Sequence, residues 1–544
     1  MKIALAQLNY HIGNFEFNTK KIIQAINEAK AKEAEIVLFG ELAICGYPAR
    51  DFLEFEDFID RCQQSLQEIK EHTKDIAIVI GCPTKNNKKE GKDLYNSAYF
   101  IADKKIIHII HKTLLPTYDV FDEYRYFQPN DIFECVYYKG KKIAVTICED
   151  IWNVGNENPM YPICPMDYLI QQSPDFILNL SASPFNYTHP SLRNHTIKSN
   201  VDAYNIPLFY CNNVGAQTEL IFDGGSMVYD AQGNCCGLLP HFTEAIEVFD
   251  STNLVIQKLP DYTTNKYELM HDALVLGIKD YFQKMGFKKA ILGLSGGVDS
   301  ALTLCLAVEA LGSENVMSVL LPSQYSSDHS VADSLALVKN LQSPHEIIPI
   351  KEAYDSFEKT LSHLFEGLAP NVTEENIQAR CRAVILMAMS NKFGYILLNT
   401  TNKSEAAVGY GTLYGDMCGG IAVLGDVYKT EVYEICNYIN RNKEIIPTNI
   451  LTKAPSAELR PGQKDSDSLP AYDLLDSLLY QYIEKRQGPN DLIAQGFDKA
   501  LIDRVLKMVN SNEWKRYQTP PILRVSPCAF GMGRRMPIVG KYLS

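Results

Sequence analysis

Residues 292–312 read LGLSGGVDSALTLCLAVEALG, an apolar strand that turns at once into an apolar helix. The turn Ser295-Gly296-Gly297-Val298-Asp299-Ser300 leaves little choice of fold around it. Adjacent glycines let the backbone come close to a ligand. The helix start offers unpaired N–H groups and the positive end of a dipole, which together suit an anion. Asp299 adds an oxygen donor of the kind magnesium prefers. Gly312 stops the helix, and Val316–Leu321 reads as the next strand after Lys289–Leu294. Strands separated by helices imply a parallel sheet. The turn is not a GxxxxGK[ST] loop, and no such string occurs in the chain.

A chain of 544 residues is expected to hold two or more domains. Its net charge of −13 makes nucleic acid a poor partner, while leaving local nucleotide pockets open. The 14 cysteines form no CxxC pair and no zinc-finger spacing, so free thiols in a reducing cytoplasm are expected. No run of 18 apolar residues suggests a membrane span, and the start MKIALAQLNYHIG is too short in its apolar run for a secretion signal.

The first half alternates strands and helices. Met1–Leu8 reads as a strand, Glu16–Glu35 as a helix with a stripe at Ile22, Ile23, Ile26 and Ala29, and Ile36–Phe39 as a buried strand. Further strand segments are Asp75–Ile80, Tyr95–Ala102, Ile143–Cys148 and Asp175–Ser181, with a polar hairpin loop at Lys85–Lys92. A boundary falls in LPDYTTNK, Leu259–Lys266, and a helix follows over Tyr267–Met285. Pro455–Ser468 reads as a mobile loop.

Three segments place a reactive side chain at or just past a strand end: FGELAICGYP with Glu41, HKTLLPTYDVFDEYRYF with Lys112 and Glu123, and VTICEDIW with Cys148. A thiolate is a strong nucleophile, a carboxylate can take its proton, and an ammonium can stabilise the oxyanion formed on attack at an amide carbonyl. In this order the segments closely resemble the Glu-Lys-Cys signature of the nitrilase (carbon-nitrogen hydrolase) superfamily, over residues 1–255. The resemblance implies Glu41 as general base, Lys112 as oxyanion stabiliser, Cys148 as nucleophile and Glu123 as the group that positions the lysine. Among glutamine-hydrolysing members it implies substrate contacts at Tyr118 and Ser183. His189 stands where a Lys or Arg often follows that serine.

The Ser295–Ser300 turn, with the flanking Gly293 and Leu294, resembles the ATP pyrophosphatase loop, whose members cut ATP between the α and β phosphates. By itself the loop leaves GMP, asparagine and argininosuccinate synthetases and tRNA thiolases open. The later segments TEENIQARCR (Thr373–Arg382), LNTTNKSEAAVGYGTLYGDMCGG (Leu398–Gly420) and DVYKTEVY (Asp426–Tyr433) closely resemble the synthetase domain of NAD synthetases, over residues 265–544. That resemblance implies ATP contacts at Thr400 and Lys429, and deamido-NAD contacts at Asn376, Arg380, Glu405, Asp416 and Lys515. Asp299 and Glu405 are implied as magnesium ligands. Ser456 stands where relatives often place a Thr near the nucleotide, and Gly411 where many have Cys.

Together the resemblances imply an αββα sandwich over residues 1–258, a linker at 259–268, and a doubly wound parallel sheet of the ATP pyrophosphatase (adenine nucleotide alpha hydrolase-like) type over 269–544. The implied substrates are glutamine, ATP and deamido-NAD, with Mg2+ as cofactor. Ammonia freed in the first domain would amidate an adenylated dinucleotide in the second. Because free ammonia is protonated and diluted in water, a closed passage is implied. The resemblance also implies a homo-oligomer.

Overall fold

The computed structural model describes residues 1–156, 160–259 and 266–543. The chain divides into two compact units, Met1–Thr264 and Asn265–Ser544. Residues 260–265 of the expected linker lie outside the described residues.

In the first unit the strands are β1 (Lys2–Gln7), β2 (Ile36–Leu38), β3 (Ala77–Lys85), β4 (Leu94–Ala102), β5 (Lys105–His111), β6 (Val136–Tyr138), β7 (Lys141–Ile147), β8 (Phe176–Ser181), β9 (Leu208–Asn212), β10 (Val214–Gln217), β11 (Leu220–Asp223), β12 (Met227–Tyr229), β13 (Cys235–Leu238) and β14 (Ala245–Asp250). Two six-stranded sheets form, in the orders β14-β1-β2-β3-β4-β5 and β13-β12-β9-β8-β7-β6, beside a β10-β11 hairpin. The first carries helices α1 (Phe15–Ala31) and α2 (Glu56–Glu71), and a short α3 (Glu123–Tyr126) follows β5. The second carries α4 (Pro165–Leu169) and α5 (His189–Tyr204).

Period-2 alternation decides which layer each side chain enters. Ile3 and Leu5 of β1, Ile36 and Leu38 of β2, and Ala77 and Val79 of β3 meet Ile143, Val145 and Ile147 of β7 and Leu178 and Leu180 of β8 in one inter-sheet core. Ala4, Ala6, Val37, Ile78 and Ile80 point the other way, onto Ile22, Ile26, Ile59 and Leu66 of α1 and α2. On the far side Ala144 and Ile177 pack against Met166, Ile197 and Val201 of α4 and α5. Each fully buried aliphatic side chain contributes roughly 1.5–3 kcal/mol, so these layers dominate the stability of the unit.

The sheets are mixed, which strand-helix alternation alone does not foretell. β1, β2 and β3 run parallel, but β14 closes antiparallel on β1, and β3, β4 and β5 form a meander. The Lys85–Lys92 segment is the hairpin loop between β3 and β4. Helix α1 ends at Ala31, short of Glu35, because Glu33 takes the left-handed conformation (φ 59°) that returns the chain to the sheet.

The second unit is a five-stranded sheet in the order β17-β16-β15-β18-β19, every pair parallel. Its strands are β15 (Lys289–Gly293), β16 (Val316–Leu320), β17 (His345–Ile347), β18 (Tyr395–Asn399) and β19 (Ile421–Ala422). Helices α6 (Lys266–Met285), α7 (Val298–Leu311) and α8 (Asp328–Leu341) alternate with the first strands, and α9 (Lys351–Leu361) and α10 (Val372–Phe393) lead into β18. Side chains of α9 and α10, including Tyr354 and Leu386, meet Ile291, Val319 and Leu397 of the sheet. Two more helices, α11 (Lys403–Val408) and α12 (Lys429–Ile439), carry site residues, and α13 (Thr448–Thr452), α14 (Tyr472–Leu479), α15 (Pro489–Ala494), α16 (Lys499–Ser511) and α17 (Glu513–Arg516) complete the unit. Pro455–Ser468 is irregular apart from one 3-10 turn at Asp465–Asp467, with Gln463 and Asp465 buried and Ser456 Oγ donating to the Gln463 carbonyl at 2.6 Å.

All 14 cysteines are free thiols, and among the described residues no helix is long and apolar enough to cross a membrane.

His271 of α6 places Nδ1 2.9 Å from Asp272 and Nε2 3.1 Å from Glu309 of α7. Burial opposes the imidazolium, but the two carboxylates outweigh it and lift the histidine from its usual 6.5 to about 9. A group raised on folding stabilises fully below its unfolded value, and that stabilisation disappears as pH climbs through the folded value. The second unit should therefore lose thermal stability between about pH 6.5 and 9. Melting curves of wild type and His271→Asn should converge towards pH 9; parallel curves across this window would show that the ion pair contributes nothing.

Candidate active sites

Glu41, Lys112, Cys148 and Ser183 come from four loops at one end of the first unit. Glu41 follows β2, Lys112 follows β5, Cys148 follows β7, and Ser183 follows β8. Strands β2, β7 and β8 belong to the parallel parts of their sheets, whose C-terminal edge is where such sheets gather ligands.

Lys112 is fully buried. Its Nζ lies 2.7 Å from Glu41 Oε1 and 2.8 Å from Glu123 Oε1. Burial works against the ammonium, but Glu123 and Glu41 overcome it and hold the lysine charged. Tyr47 donates to Glu123 Oε1 at 2.9 Å, and Asn96 Nδ2 donates to Glu41 Oε1 at 2.7 Å. The backbone N–H of Ala182 reaches Glu41 Oε2 at 3.1 Å. Burial raises Glu123, and Lys112 draws it back. Gly81 of β3 explains how Glu41 fits: a Cβ there would meet Leu42 N at 2.2 Å and the Glu41 backbone below 3 Å. No side chain can be tolerated where β3 passes under the Glu41 loop.

Cys148 adopts φ 45°, in the left-handed region, at the start of a 3-10 turn over Cys148–Ile151. Holding a non-glycine residue there costs on the order of 1–3 kcal/mol. Asp150 holds the turn. Its Oδ2 accepts from Ile147 N at 3.0 Å, and its Oδ1 accepts from Thr113 N and Leu114 N at 2.9 Å each. One carboxylate thus ties the cysteine turn to the residues after Lys112. Burial drives the Cys148 thiol well up, so a base must take its proton.

Tyr118 OH donates to Glu149 Oε1 at 2.9 Å, and Tyr161 OH donates to the same atom at 3.0 Å. Ser183 is buried, with its N–H on Asn212 Oδ1 at 2.8 Å. His189 begins α5, its Nδ1 2.5 Å from the Pro184 carbonyl and its ring tilted against Trp152. Asn96 and Tyr161 lie outside the three quoted segments, and Glu149 and Asp150 lie within VTICEDIW without being singled out there.

In the second unit the chain moves outward from β15 to β16 and β17 on one side and to β18 and β19 on the other. The loops after β15 and β18 therefore flank the point where strand order reverses, the usual ligand site of such sheets. The Ser295–Ser300 turn lies there. Gly296 has φ 77°, and a Cβ on it would meet the Ser330 carbonyl at 2.5 Å, so only glycine fits. Ser300 Oγ donates to the Gly297 carbonyl at 3.0 Å and lies 3.1 Å from Ser295 Oγ, closing the turn on itself.

A polar cavity of about 210 Å³ opens over this turn. Ser295, Gly297, Val298, Asp299, Ser300, Thr400, Glu405, Asp416, Lys429 and Ser456 all line it. Lys429 Nζ pairs with Asp299 Oδ2 and lies 3.9 Å from Glu405 Oε1, while Asn402 Nδ2 donates to Asp299 Oδ1 at 2.9 Å. Burial, then Asp299, push the Glu405 carboxyl up. Lys453, Glu458 and Asp465 also face the cavity. Lys453 Nζ donates to Ser330 Oγ at 3.0 Å.

An adjoining, more apolar cavity of about 250 Å³ is lined by Gly293, Leu294, Leu321, Arg382, Leu397 and Thr400, among others. Gly293, Leu294 and Thr400 were expected from the sequence; Arg382, whose Nε donates to the Leu321 carbonyl at 3.0 Å, was not.

Asn376, Arg380 and Lys515 gather on the loop 409–416 without lining either cavity, whereas Asp416 of that loop lines both. Asn376 Oδ1 accepts from Thr412 Oγ1 at 2.7 Å, and Arg380 Nε donates to the Leu413 carbonyl at 3.3 Å. Lys515 Nζ donates to the carbonyls of Gly409 at 2.8 Å and Gly411 at 3.0 Å. Asp416 Oδ1 accepts from Thr412 N at 2.7 Å, and burial lifts its carboxyl to about 6.

Residues 2–256 match the carbon-nitrogen hydrolase family, and residues 270–519 match NAD synthase. The chain is 46% identical over 546 residues to the glutamine-dependent NAD(+) synthetase of Synechocystis sp., covering 98% of each chain. It is 40% identical to the glutamine-dependent NAD(+) synthetase of Thermotoga maritima, covering 100% of this chain and 99% of that one. Among solved structures it resembles the glutamine-dependent NAD+ synthetase of Acinetobacter baumannii in complex with ADP, with a TM-score of 0.79, 40% identity, and coverage of 99% of this chain and 98% of that chain.

Proposed function

This chain belongs to the glutamine-dependent NAD(+) synthetases, and from that premise we propose which residues carry each half of its reaction. It is an enzyme that hydrolyses glutamine and uses the ammonia to amidate adenylated deamido-NAD, giving NAD, AMP and pyrophosphate.

The observation that carries the residue assignment is the buried Lys112 ammonium held between Glu41 and Glu123 beside a strand-end cysteine. Glu41 takes the thiol proton, and Cys148 Sγ attacks the glutamine side-chain carbonyl carbon. Lys112 stabilises the oxyanion. The C–N bond breaks as Glu41 returns the proton to the departing ammonia. Water, deprotonated by Glu41, then cleaves the thioester to glutamate and free thiol. Glu123 keeps Lys112 in place. Tyr118, Ser183 and His189 hold the amino-acid end of glutamine, with Glu149 as the buried carboxylate nearest the nucleophile in sequence.

In the second unit the adenosine of ATP occupies the apolar cavity and its phosphates the polar one. The nicotinate carboxylate of deamido-NAD attacks the α-phosphorus, and pyrophosphate leaves against the Ser295–Ser300 turn. Lys429 and Lys453 supply positive charge, Ser456 a hydroxyl, and Thr400 a contact shared by both cavities. Ammonia then displaces AMP from the acyl carbon. Glu405, Asp416, Asn376, Arg380 and Lys515 engage deamido-NAD directly or through the 409–416 loop.

Asp299 and Glu405 are the residues proposed to hold Mg2+, although among the described residues no three His, Cys, Asp or Glu side chains stand together as a metal site and Lys429 pairs with Asp299. Asp299 and Glu405 turn hard oxygens into one cavity that also holds Asp416, Glu458 and Asp465, an acid excess over two lysines that a polyphosphate would only increase. When bound, the ion would neutralise charge on the leaving pyrophosphate. The free thiols support a reducing, cytoplasmic setting, and a homo-oligomer is proposed from the nitrilase resemblance alone. Incubating the protein with deamido-NAD, ATP and Mg2+, with glutamine or ammonium as nitrogen source, should give NAD and AMP in equal amounts from either. No NAD from either donor would defeat the assignment.

A further inference from the structure

Asn96 of β4 holds Lys112 from two directions. Its backbone carbonyl accepts from Lys112 N at 2.8 Å, extending the β4-β5 ladder by one bond beyond β5. Its Nδ2 donates to Glu41 Oε1 at 2.7 Å and reaches Glu123 Oε2 at 3.5 Å. These are the two carboxylates that grip the Lys112 ammonium. The amide can present only its NH2 to two carboxylates, since its oxygen has no proton to give. Oδ1 is consequently turned away, buried, with no hydrogen bond among the described residues. The fold tolerates an unpaired buried acceptor in order to keep the donor where it is.

This arrangement makes the two oxygens of Glu41 unequal. Oε1 receives two short bonds, from Lys112 Nζ and Asn96 Nδ2, at 2.7 Å each. Oε2 receives one longer bond, from Ala182 N at 3.1 Å. A carboxylate oxygen with two close donors has little electron density left for a proton. Lys112, Glu123, Tyr47, Cys148 and Glu149 all act electrostatically on this cluster. Among the described residues, the side chains that hydrogen-bond the Glu41 carboxylate are those of Lys112 and Asn96.

We propose that Asn96 is a positioning residue of the glutaminase reaction, which occupies Glu41 Oε1 and so directs the thiol proton to Oε2. The inference rests on the reading of Glu41 as the base. Losing the Asn96 donor frees Oε1 and makes the carboxylate easier to protonate. Glutamine hydrolysis by such a variant is then expected to need a higher pH.

The test is the pH profile of glutamine hydrolysis by the full-length protein carrying Asn96→Ala or Asn96→Asp, with ammonium-driven NAD formation measured alongside. The acid limb of kcat/KM should move up by about one pH unit in Asn96→Ala and further in Asn96→Asp, which adds a like charge. At pH 7 kcat should fall roughly 10- to 100-fold, with the KM for glutamine within about threefold and the ammonium-driven rate unchanged. Alkylation of Cys148 by iodoacetamide, corrected with Cys148→Ala, should show the same upward shift without substrate. Asn96→Asp preserves side-chain shape and decides the matter if the alanine protein fails to fold. An unmoved acid limb, a change confined to KM, or equal loss of the ammonium-driven reaction overturns the proposal. Glu41→Gln separates the underlying reading: if it still hydrolyses glutamine, Glu41 is not the base, whatever Asn96 does.

Discussion

Cys148→Ala should abolish glutamine-driven NAD formation and leave the ammonium-driven reaction at its wild-type rate. The expected loss with glutamine is at least about 10³-fold, as for removal of a covalent nucleophile. The sulfur is the only protein atom in this scheme that bonds to the glutamine carbon, and neither Glu41 nor Lys112 can replace it. The variant should fold, because among the described residues the thiol makes no hydrogen bond on which the turn depends. Asp150 holds that turn through Ile147 N, Thr113 N and Leu114 N. Alanine is smaller than cysteine and tolerates φ 45° no worse. NAD and glutamate are measured together with each nitrogen donor. Retention of glutamine-driven synthesis would remove Cys148 from the mechanism. Equal loss with both donors would mean that the variant harms the protein as a whole.

The sequence points to Glu41, Lys112 and Cys148 for a physical reason, and the fold brings their loops to one end of the first unit. A strand that ends in a buried apolar run and then presents Glu or Cys puts such a group at a sheet edge, and β2 and β7 do so. The groups that support them were not legible. Asn96 sits in LYNSAYFIA, where a polar residue in a strand looks like ordinary alternation, yet every residue of β4 is buried. Asp150 resembles a surface acid after a strand but is buried and accepts three backbone N–H groups.

Long-range pairing was equally hidden. β14 returns to close on β1 after more than 200 residues, and no local pattern announces it. Strand β5, KIIHIIH, carries paired isoleucines on an exposed edge, so its alternation is masked although Lys112 depends on it. The second unit was easier to read. Its β-α repeat gives the parallel order, and the point where that order reverses picks out the loops after β15 and β18 without any motif. What the sequence could not separate was direct from indirect contact. Asn376, Arg380 and Lys515 hold the 409–416 loop, whereas Glu405 and Asp416 face the cavity itself.

Asp299→Asn should stop AMP formation with either nitrogen donor, lowering kcat by roughly 10²–10⁴-fold, the range seen when a group that organises transition-state charge is removed. Two consequences of losing one charge act together. Lys429 is buried, and its closest carboxylate partner is Asp299, with Glu405 further off at 3.9 Å. Neutralising Asp299 leaves that ammonium short of its nearest counter-charge, so it is drawn towards Glu405 and away from the phosphate path. The cavity also loses one of the two carboxylates fit to hold magnesium, so the Mg2+ concentration needed for half-maximal AMP release should rise. Asn402 Nδ2 can still donate to the remaining side-chain oxygen, which keeps the α11 start in place and limits the structural damage. Iodoacetamide labelling of Cys148 should be unchanged, because the defect belongs to the second unit. EDTA applied to wild type should mimic the variant for both donors. AMP release within about threefold of wild type, at unchanged Mg2+ demand, would dismiss Asp299 from phosphate chemistry and leave the glycine turn as plain structure.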